Sequence, residues 1–158
     1  MVYKIIKLKK KDLNALTEIE FQSQYINIKR KISKKQMKKY MLNRVTRGRE
    51  LFFGYKEGGE IKGAIGFKPL SSDRHYCQIH WIAVKRKFQR QGIGRKLIKF
   101  IEKFAKKNNF KKICLYTGED MHNIRRFYEK LGYKNTKRLP NFYKIGKNRT
   151  AILYSKML

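Results

Sequence analysis

Residues 79–97 read Ile-His-Trp-Ile-Ala-Val-Lys-Arg-Lys-Phe-Gln-Arg-Gln-Gly-Ile-Gly-Arg-Lys-Leu, and no other stretch limits the possible folds as strongly. An apolar run of strand formers passes into a basic loop with two glycines. The loop opens a helix whose apolar stripe is Leu97, Ile98, Ile101, Phe104 and Ala105. Strand, loop and helix in that order imply a sheet with helices packed on its faces. The junction also leaves several backbone N–H groups without partners at the positive end of a helix dipole, an arrangement that holds phosphate. Gly92 and Gly94 let the main chain come close to a pyrophosphate, and Arg86, Arg90, Arg95 and Lys96 add countercharge. Taken alone, the loop is also compatible with an ordinary glycine turn in a basic protein.

The rest of the chain supplies the other elements of that sheet. Residues 2–8 predict a first strand, and 11–26 place Leu13, Leu16 and Ile19 at helical spacing after an opening at Asp12. Residues 33–47 predict a second helix, with Ser33 as N-cap and Met37, Tyr40, Met41 and Val45 on one face. The period then changes. Segments 51–56 and 61–68 flank Glu57-Gly58-Gly59-Glu60, where the glycines supply the positive φ angles that a tight hairpin turn demands. Residues 75–85 are a third run of strand formers, and 113–117 a short strand. Ile124, Phe127, Tyr128 and Leu131 mark a further helix closed by Gly132, and 133–137 and 150–157 predict two final strands. The order β-α-α-β-β-β-α-β-α-β-β predicts an α/β chain with a mixed sheet and helices on its faces. No Pro-rich or Gly/Ser-rich linker interrupts it, so 1–158 is expected to be one domain.

Charge narrows the partners rather than the fold. With 41 Lys and Arg against 11 Asp and Glu, the formal charge is +30. Such a field attracts nucleic acid, anionic membrane or acidic small molecules and disfavours basic protein partners. Hydrophobic residues at 41% still suffice for a core. No apolar run approaches a membrane span, and the first residues lack the apolar stretch of a signal peptide, so a cytoplasmic protein without membrane contact is expected. Cys77 and Cys114 read as small buried residues. His75, His80 and His122 show no metal-ligand spacing, so no metal is expected.

Gln89-x-x-Gly92-x-Gly94 resembles the acetyl-CoA motif Q/R-x-x-G-x-G/A of the GNAT superfamily of N-acetyltransferases, and it follows a strand ending in Ala83-Val84 as that family's motif does. Phe127-Tyr128-Glu129-Lys130-Leu131-Gly132-Tyr133 is similar to the family's FYEKxGF/Y element. Asn141-Phe142-Tyr143 with the last strand resembles the tail of ribosomal-protein and amino-terminal acetyltransferases. The other common nucleotide loops, GxxxxGKS/T and GxGxxG, are absent. The resemblance implies a mixed, mostly antiparallel sheet in which parallel strands at 77–85 and 112–117 splay apart, with acetyl-CoA in the opening as cosubstrate. It further implies that main-chain groups of Ile82, Ala83 and Val84 bind the pantetheine arm. N–H groups of Gln89, Arg90, Gln91, Gly92, Ile93, Gly94 and Arg95 would cradle the pyrophosphate, and Asn123 and Tyr128 complete the cofactor-binding set.

Direct acetyl transfer needs a neutral amine at the thioester carbon, donors for the developing oxyanion and a proton for the departing thiolate. The resemblance gives the Val84 amide as oxyanion donor and Tyr128 as general acid, a phenol protonated at neutral pH. Tyr128 also falls on its helix's apolar stripe, which leaves a packing role open. At the general base the chain departs from the family pattern, because neither 75–85 nor 112–117 contains Asp or Glu. Tyr116 stands where related amino-terminal acetyltransferases carry Glu or His, and Gln78 and His80 are the polar residues of the preceding strand. His80 is the better proton acceptor, with a satisfied strand residue as the plainer reading. Glu119, Asp120 or a prebound neutral amine are the alternatives.

Segment 29–49 holds Lys29, Arg30, Lys31, Lys34, Lys35, Lys38, Lys39, Arg44, Arg47 and Arg49 without a carboxylate. The resemblance makes it one wall of the acceptor groove and a candidate contact for nucleic acid or ribonucleoprotein; a solvated face is the other reading. Three functions follow. The acceptor is a protein amine, at the amino terminus or a lysine. Alternatively it is RNA or aminoacyl-tRNA, with Tyr25, Tyr40, Phe88 and Tyr143 as stacking partners. In the third, the chain is a degenerate CoA- or nucleic-acid-binding protein. Monomer and dimer are both open.

Overall fold

Gly58 and Gly59, at φ 57° and 80°, turn the chain between β2 (Leu51–Glu57) and β3 (Glu60–Pro69), and the sheet extends outward from that hairpin. The computed structural model describes residues 2–23, 32–47, 49–70, 72–144 and 149–158. Around the hairpin lie β1 (Tyr3–Leu8), α1 (Leu13–Gln22), α2 (Lys34–Thr46), β4 (Tyr76–Val84), α3 (Ile93–Lys107), β5 (Lys112–Gly118), α4 (His122–Lys130), β6 (Lys134–Leu139) and β7 (Ala151–Met157), in the predicted order. A 3-10 turn at Lys10–Asp12 replaces the first residues of the helix predicted at 11–26, and the part of that helix beyond residue 23 lies outside the described residues. The Ser33 cap forms as expected. Its hydroxyl accepts from the Gln36 amide at 3.2 Å, and Gln36 Oε1 accepts from the Ser33 amide at 2.8 Å.

The strands run β1-β2-β3-β4-β5-β7-β6 across a seven-stranded sheet, antiparallel except for the parallel pair β4/β5. Two apolar layers cover it. On one face, Ile93, Leu97, Ile98, Ile101 and Ala105 of α3 and Tyr128 of α4 pack with Phe53, Ile65, Phe67, Ile79 and Leu115 of the sheet. On the other, Leu13, Leu16 and Ile19 of α1 and Met37 and Met41 of α2 pack with Leu8, Phe52, Ala64 and Ala83. Burying each such side chain is worth about 1.5–3 kcal/mol, so both helix pairs are held by their stripes. Ile124, expected on the stripe of α4, is 40% exposed; it lies in the helix's first turn, beyond the layer that buries Tyr128.

The strand predicted straight through 75–85 carries a β-bulge. Gly66 pairs with Trp81 and Phe67 with Ile79, so His80 is one extra residue in β4. The bulge switches which side chains face which layer. Before it, Cys77 and Ile79 belong to the α3/α4 layer; after it, Ile82 and Val84 do, while Trp81 and Ala83 turn to the α1/α2 layer. A bulge also bends its strand. β4 and β5 stay bridged only over Tyr76, Cys77 and Gln78 with Lys112, Ile113 and Cys114. Beyond Gln78 the two strands part, β4 holding to β3 and β5 to β7.

Candidate functional site

The parted strands leave main-chain groups facing each other without a ladder. Lys85 N–H donates to Lys62 O at 2.9 Å, which fixes the alternation of bonded and non-bonded pairs between β3 and β4. Ala64 and Ala83 form a bonded pair; Gly63/Val84 and Ile65/Ile82 are non-bonded pairs. The N–H and C=O of Ile82 and Val84 therefore point away from β3, into the opening, and Ala83 is tied to β3. Gln89 closes the end of this edge: its side-chain amide donates to Val84 O at 3.1 Å.

The loop that follows is shaped by positive φ angles at Arg90 (63°) and Gly92 (78°), the latter the N-cap of α3. Lys96 N–H donates to Gly92 O at 3.0 Å, so the amides of Ile93, Gly94 and Arg95 precede the first intrahelical bond and stand at the open end of a 15-residue helix. A Cβ at Gly92 would meet nothing within 4 Å, whereas one at Gly94 would make ordinary contact with Phe127 at 3.5 Å. Glycine is thus demanded at 92 by conformation, and the space in front of it is free. Arg86, Arg90, Gln91 and Arg95 are exposed around the loop. Lys96 is not among them: its ammonium sits 4.4 Å from the centre of the Tyr3 ring and 3.4 Å from the Tyr55 hydroxyl, because helical spacing carries it to the sheet side. The Ile93 side chain is likewise core, leaving only its amide to the loop.

Tyr128 is buried among Phe127, Tyr133 and Tyr154, with ring centroids 5.3, 5.7 and 6.5 Å away. Burial pushes its phenol well above the usual range, so it remains a proton donor at any physiological pH. Asn123 is exposed in the first turn of α4. On β5, Tyr116 lies past the last bridge to β4 and stacks on Phe142 at 4.7 Å and 21°, so the Asn141-Phe142-Tyr143 segment folds over the β5 side of the opening. Burial, with Cys114 nearby, raises the Tyr116 phenol.

His80 stands at the bulge, two residues past the last β4 bridge to β5, and it is not an isolated strand residue. Its Nδ1 lies 3.0 Å from Arg44 Nη2 and 3.2 Å from Glu50 Oε1. Arg44 grips Glu50 with both Nε, at 3.0 Å from Oε2, and Nη2 on Oε1. Rings of Tyr40, Phe52 and Trp81 surround the guanidinium at 5.5, 5.2 and 5.7 Å. Trp81 Nε1 in turn donates to Glu20 of α1. Burial raises the Glu50 carboxyl, but hydrogen bonds from His80 and Arg44 outweigh it and hold Glu50 below the ordinary glutamate range. Gly66 makes room for this group: a Cβ there would strike Glu50 Oε1 and come within 3.1 Å of Phe52.

Glu50 is the residue that sequence reasoning missed. The two carboxylates named as alternatives are differently placed. Glu119 is gripped by Arg138 through bonds of 2.6 and 2.9 Å, which hold it as a carboxylate below its usual range, and Asp120 is exposed beyond the end of β5. Burial pushes the Cys77 thiol up to about 12 and raises that of Cys114, so neither serves as a nucleophile near neutral pH.

The basic wall divides as well. Lys29, Arg30, Lys31 and Tyr25 lie outside the described residues; Lys34, Lys35, Lys38, Lys39, Arg47 and Arg49 are exposed, and Arg44 is internal. Of the proposed stacking rings, Tyr40 faces Arg44 and Phe88 takes Lys62 and Lys87 at 4.6 Å each. Among the described residues no group of three or more His, Cys, Asp or Glu is placed to hold a metal, and no helix is long and apolar enough to cross a membrane.

The acetyltransferase (GNAT) family model matches residues 13–133. A probable N-acetyltransferase 14 of Xenopus tropicalis is 30% identical over 88 residues, covering 56% of this chain and 42% of that protein. The chain thus aligns with about half or less of the curated relatives of this kind. Among solved structures, the ribosomal-protein-S18-alanine N-acetyltransferase of Escherichia coli superposes with a TM-score of 0.79 at 22% identity, over 99% of this chain and 94% of that one. A GNAT family acetyltransferase of Elizabethkingia anophelis with acetyl-CoA bound gives 0.75 at 25% identity, over 99% and 98%.

Proposed function

The chain belongs to the acetyltransferase (GNAT) family, and from that premise we propose that it is an acetyl-CoA-dependent N-acetyltransferase whose acceptor is a primary amine of a protein, an amino terminus or a lysine. The observation that carries this reading is the parting of β4 from β5 after Gln78 and Cys114, with the main-chain groups of Ile82 and Val84 turned into the gap. An extended pantetheine arm carries amides that pair with such an edge as a missing strand would. The loop amides from Gln89 to Arg95, at the open end of α3, fit the pyrophosphate, and Arg86, Arg90 and Arg95 supply countercharge.

In the proposed reaction, His80 takes a proton from the acceptor ammonium, and the neutral amine nitrogen attacks the thioester carbon. The Val84 amide stabilises the oxyanion. The carbon–sulfur bond then breaks, and Tyr128 gives its proton to the thiolate and regains one from solvent. The high, buried cysteines favour this direct transfer over an acyl-enzyme. The likeness to the S18-alanine enzyme supports a protein amine as acceptor. A second reading, RNA or aminoacyl-tRNA, is favoured by the exposed lysines of α2 within a chain of charge +30.

Radiolabelled acetyl-CoA incubated with fractionated cell extract tests both. Label in protein, released as an acetylated amine, supports the first reading; label in RNA replaces it with the second. No transfer to any fraction, with acetyl-CoA bound, leaves a binding protein.

A further inference from the structure

We propose that Glu50 is the positioning residue that makes His80 a base, by holding the imidazole proton on Nδ1 and leaving the Nε2 lone pair for the acceptor ammonium. The inference rests on the reading of His80 as proton acceptor. A neutral imidazole is useful there only if its outward nitrogen is unprotonated, and that is decided by the partner of the other nitrogen.

At Nδ1 two partners compete. Arg44 Nη2 at 3.0 Å can only donate, which would place the ring proton on Nε2 and disable the base; Glu50 Oε1 at 3.2 Å can only accept, which places it on Nδ1. The reaction itself decides between them. Arg44 places Nε and one N–H of Nη2 on the two oxygens of Glu50, with three rings around the guanidinium, and keeps a second Nη2 N–H beside Nδ1. But only an acceptor can partner Nδ1 both in the neutral ring that is free at Nε2 and in the imidazolium that follows, and Glu50 is the acceptor there. Glu50 retains acceptor capacity on Oε1 and is held as a carboxylate. When Nε2 takes the substrate proton, an imidazolium beside Arg44 would meet like charge; the Nδ1–H bond to Glu50 offsets it without movement of the ring. Gly66 and the His80 bulge together make the contact possible, one by leaving space over β3 and the other by redirecting β4.

In the step itself, the ammonium N–H bond breaks and its proton joins Nε2. The freed amine pair forms the new bond to the acetyl carbon, and His80 later returns the proton to solvent.

The test is nitrogen NMR of the histidine-labelled full chain near neutral pH, alongside transfer from radiolabelled acetyl-CoA to a mixture of peptides with free amino termini. The expected spectrum shows His80 protonated at Nδ1 with a bare Nε2. Glu50→Gln should shift protonation toward Nε2 and lower kcat at least tenfold with unchanged acetyl-CoA affinity. His80→Gln should lose as much, and the double variant no more than His80→Gln alone. A wild-type His80 carrying its proton on Nε2 overturns the inference, as does full activity in folded Glu50→Gln. Full activity in His80→Gln instead removes the base reading on which it stands. Should Glu50→Gln fail to fold, or the peptides fail as acceptors, the wild-type spectrum still decides.

Discussion

Along the β4 edge that runs into the Gly92 loop, the site is made of main-chain groups set by one continuous segment: Ile82 and Val84 turned outward by the ladder alternation, Gln89 on Val84 O, and three amides at the start of α3. On the α1/α2 side of the same strand the groups proposed to act are side chains drawn from α2, from the residue before β2 and from the β4 bulge. The first can be carried by a local motif because backbone geometry follows from a few glycines and a helix start. The second exists only once the sheet has formed. A cosubstrate common to a family suits the first, and an acceptor particular to one member suits the second.

The sharpest way to break that division is at Gly92. Gly92→Glu is expected to abolish acetyl-CoA binding by calorimetry, since the added carboxylate occupies the free space before the loop amides. Gly92→Ala should show only the cost of a left-handed backbone, about 1–2 kcal/mol in thermal unfolding. Normal binding in Gly92→Glu would remove the phosphate role of the loop. Next in size, Tyr128→Phe should lower turnover by roughly 10²–10⁴ with acetyl-CoA affinity unchanged; a fully active variant would return Tyr128 to packing alone.

Changes on the other face should leave the cosubstrate alone. Gly66→Ala puts a methyl against Glu50 and Phe52, and overpacking of this kind costs about 1–3 kcal/mol. It should slow transfer and lower the melting temperature without weakening acetyl-CoA binding; weaker binding would mean the two faces are not separate. Glu50 also predicts an acid signature. Its folded carboxyl lies below the ordinary value of 4.5, so the stability it lends is complete above that value and is lost as pH falls through the folded one. Folded Glu50→Gln should therefore lose less stability on acidification than the parent, and parallel curves would show that Glu50 contributes nothing there. The smallest effect is at Ser33. Ser33→Ala removes a cap at the far end of α2 from Arg44, costing about 1 kcal/mol with transfer unchanged.

The same contrast explains what could be read in advance. Element order, the Gly58-Gly59 hairpin, the Ser33 cap and the Gly92 helix start depend on neighbours in sequence, and each appears where the pattern puts it. The bulge was hidden because a run of strand formers looks continuous until its partner is known; only the pairing of Gly66 and Phe67 exposes His80 as extra. Glu50 was hidden for a related reason. It is the first carboxylate after the cationic stretch 29–49, and nothing local ties it to Arg44 or His80. The signal lay in the hairpin: extending its register sets Phe52 opposite Gly66 and leaves a gap beside the residue before β2. Lys96 belongs to the charge run of the loop in sequence, but the helix that the loop opens carries its ammonium to Tyr3.

Two amides of β4 carry the proposed contact with the acetyl donor. Ala83 and Lys85 are held by β3, while Ile82 and Val84 face the opening, so hydrogen exchange followed residue by residue separates them. Without cosubstrate, the amides of Ile82 and Val84 should exchange faster than those of Ala83 and Lys85; saturating acetyl-CoA should slow the first pair and leave the second as it was. Equal protection of all four in the free protein, or no slowing at Ile82 and Val84 when acetyl-CoA is added, would contradict the proposal that the gap between β4 and β5 is where the acetyl donor lies.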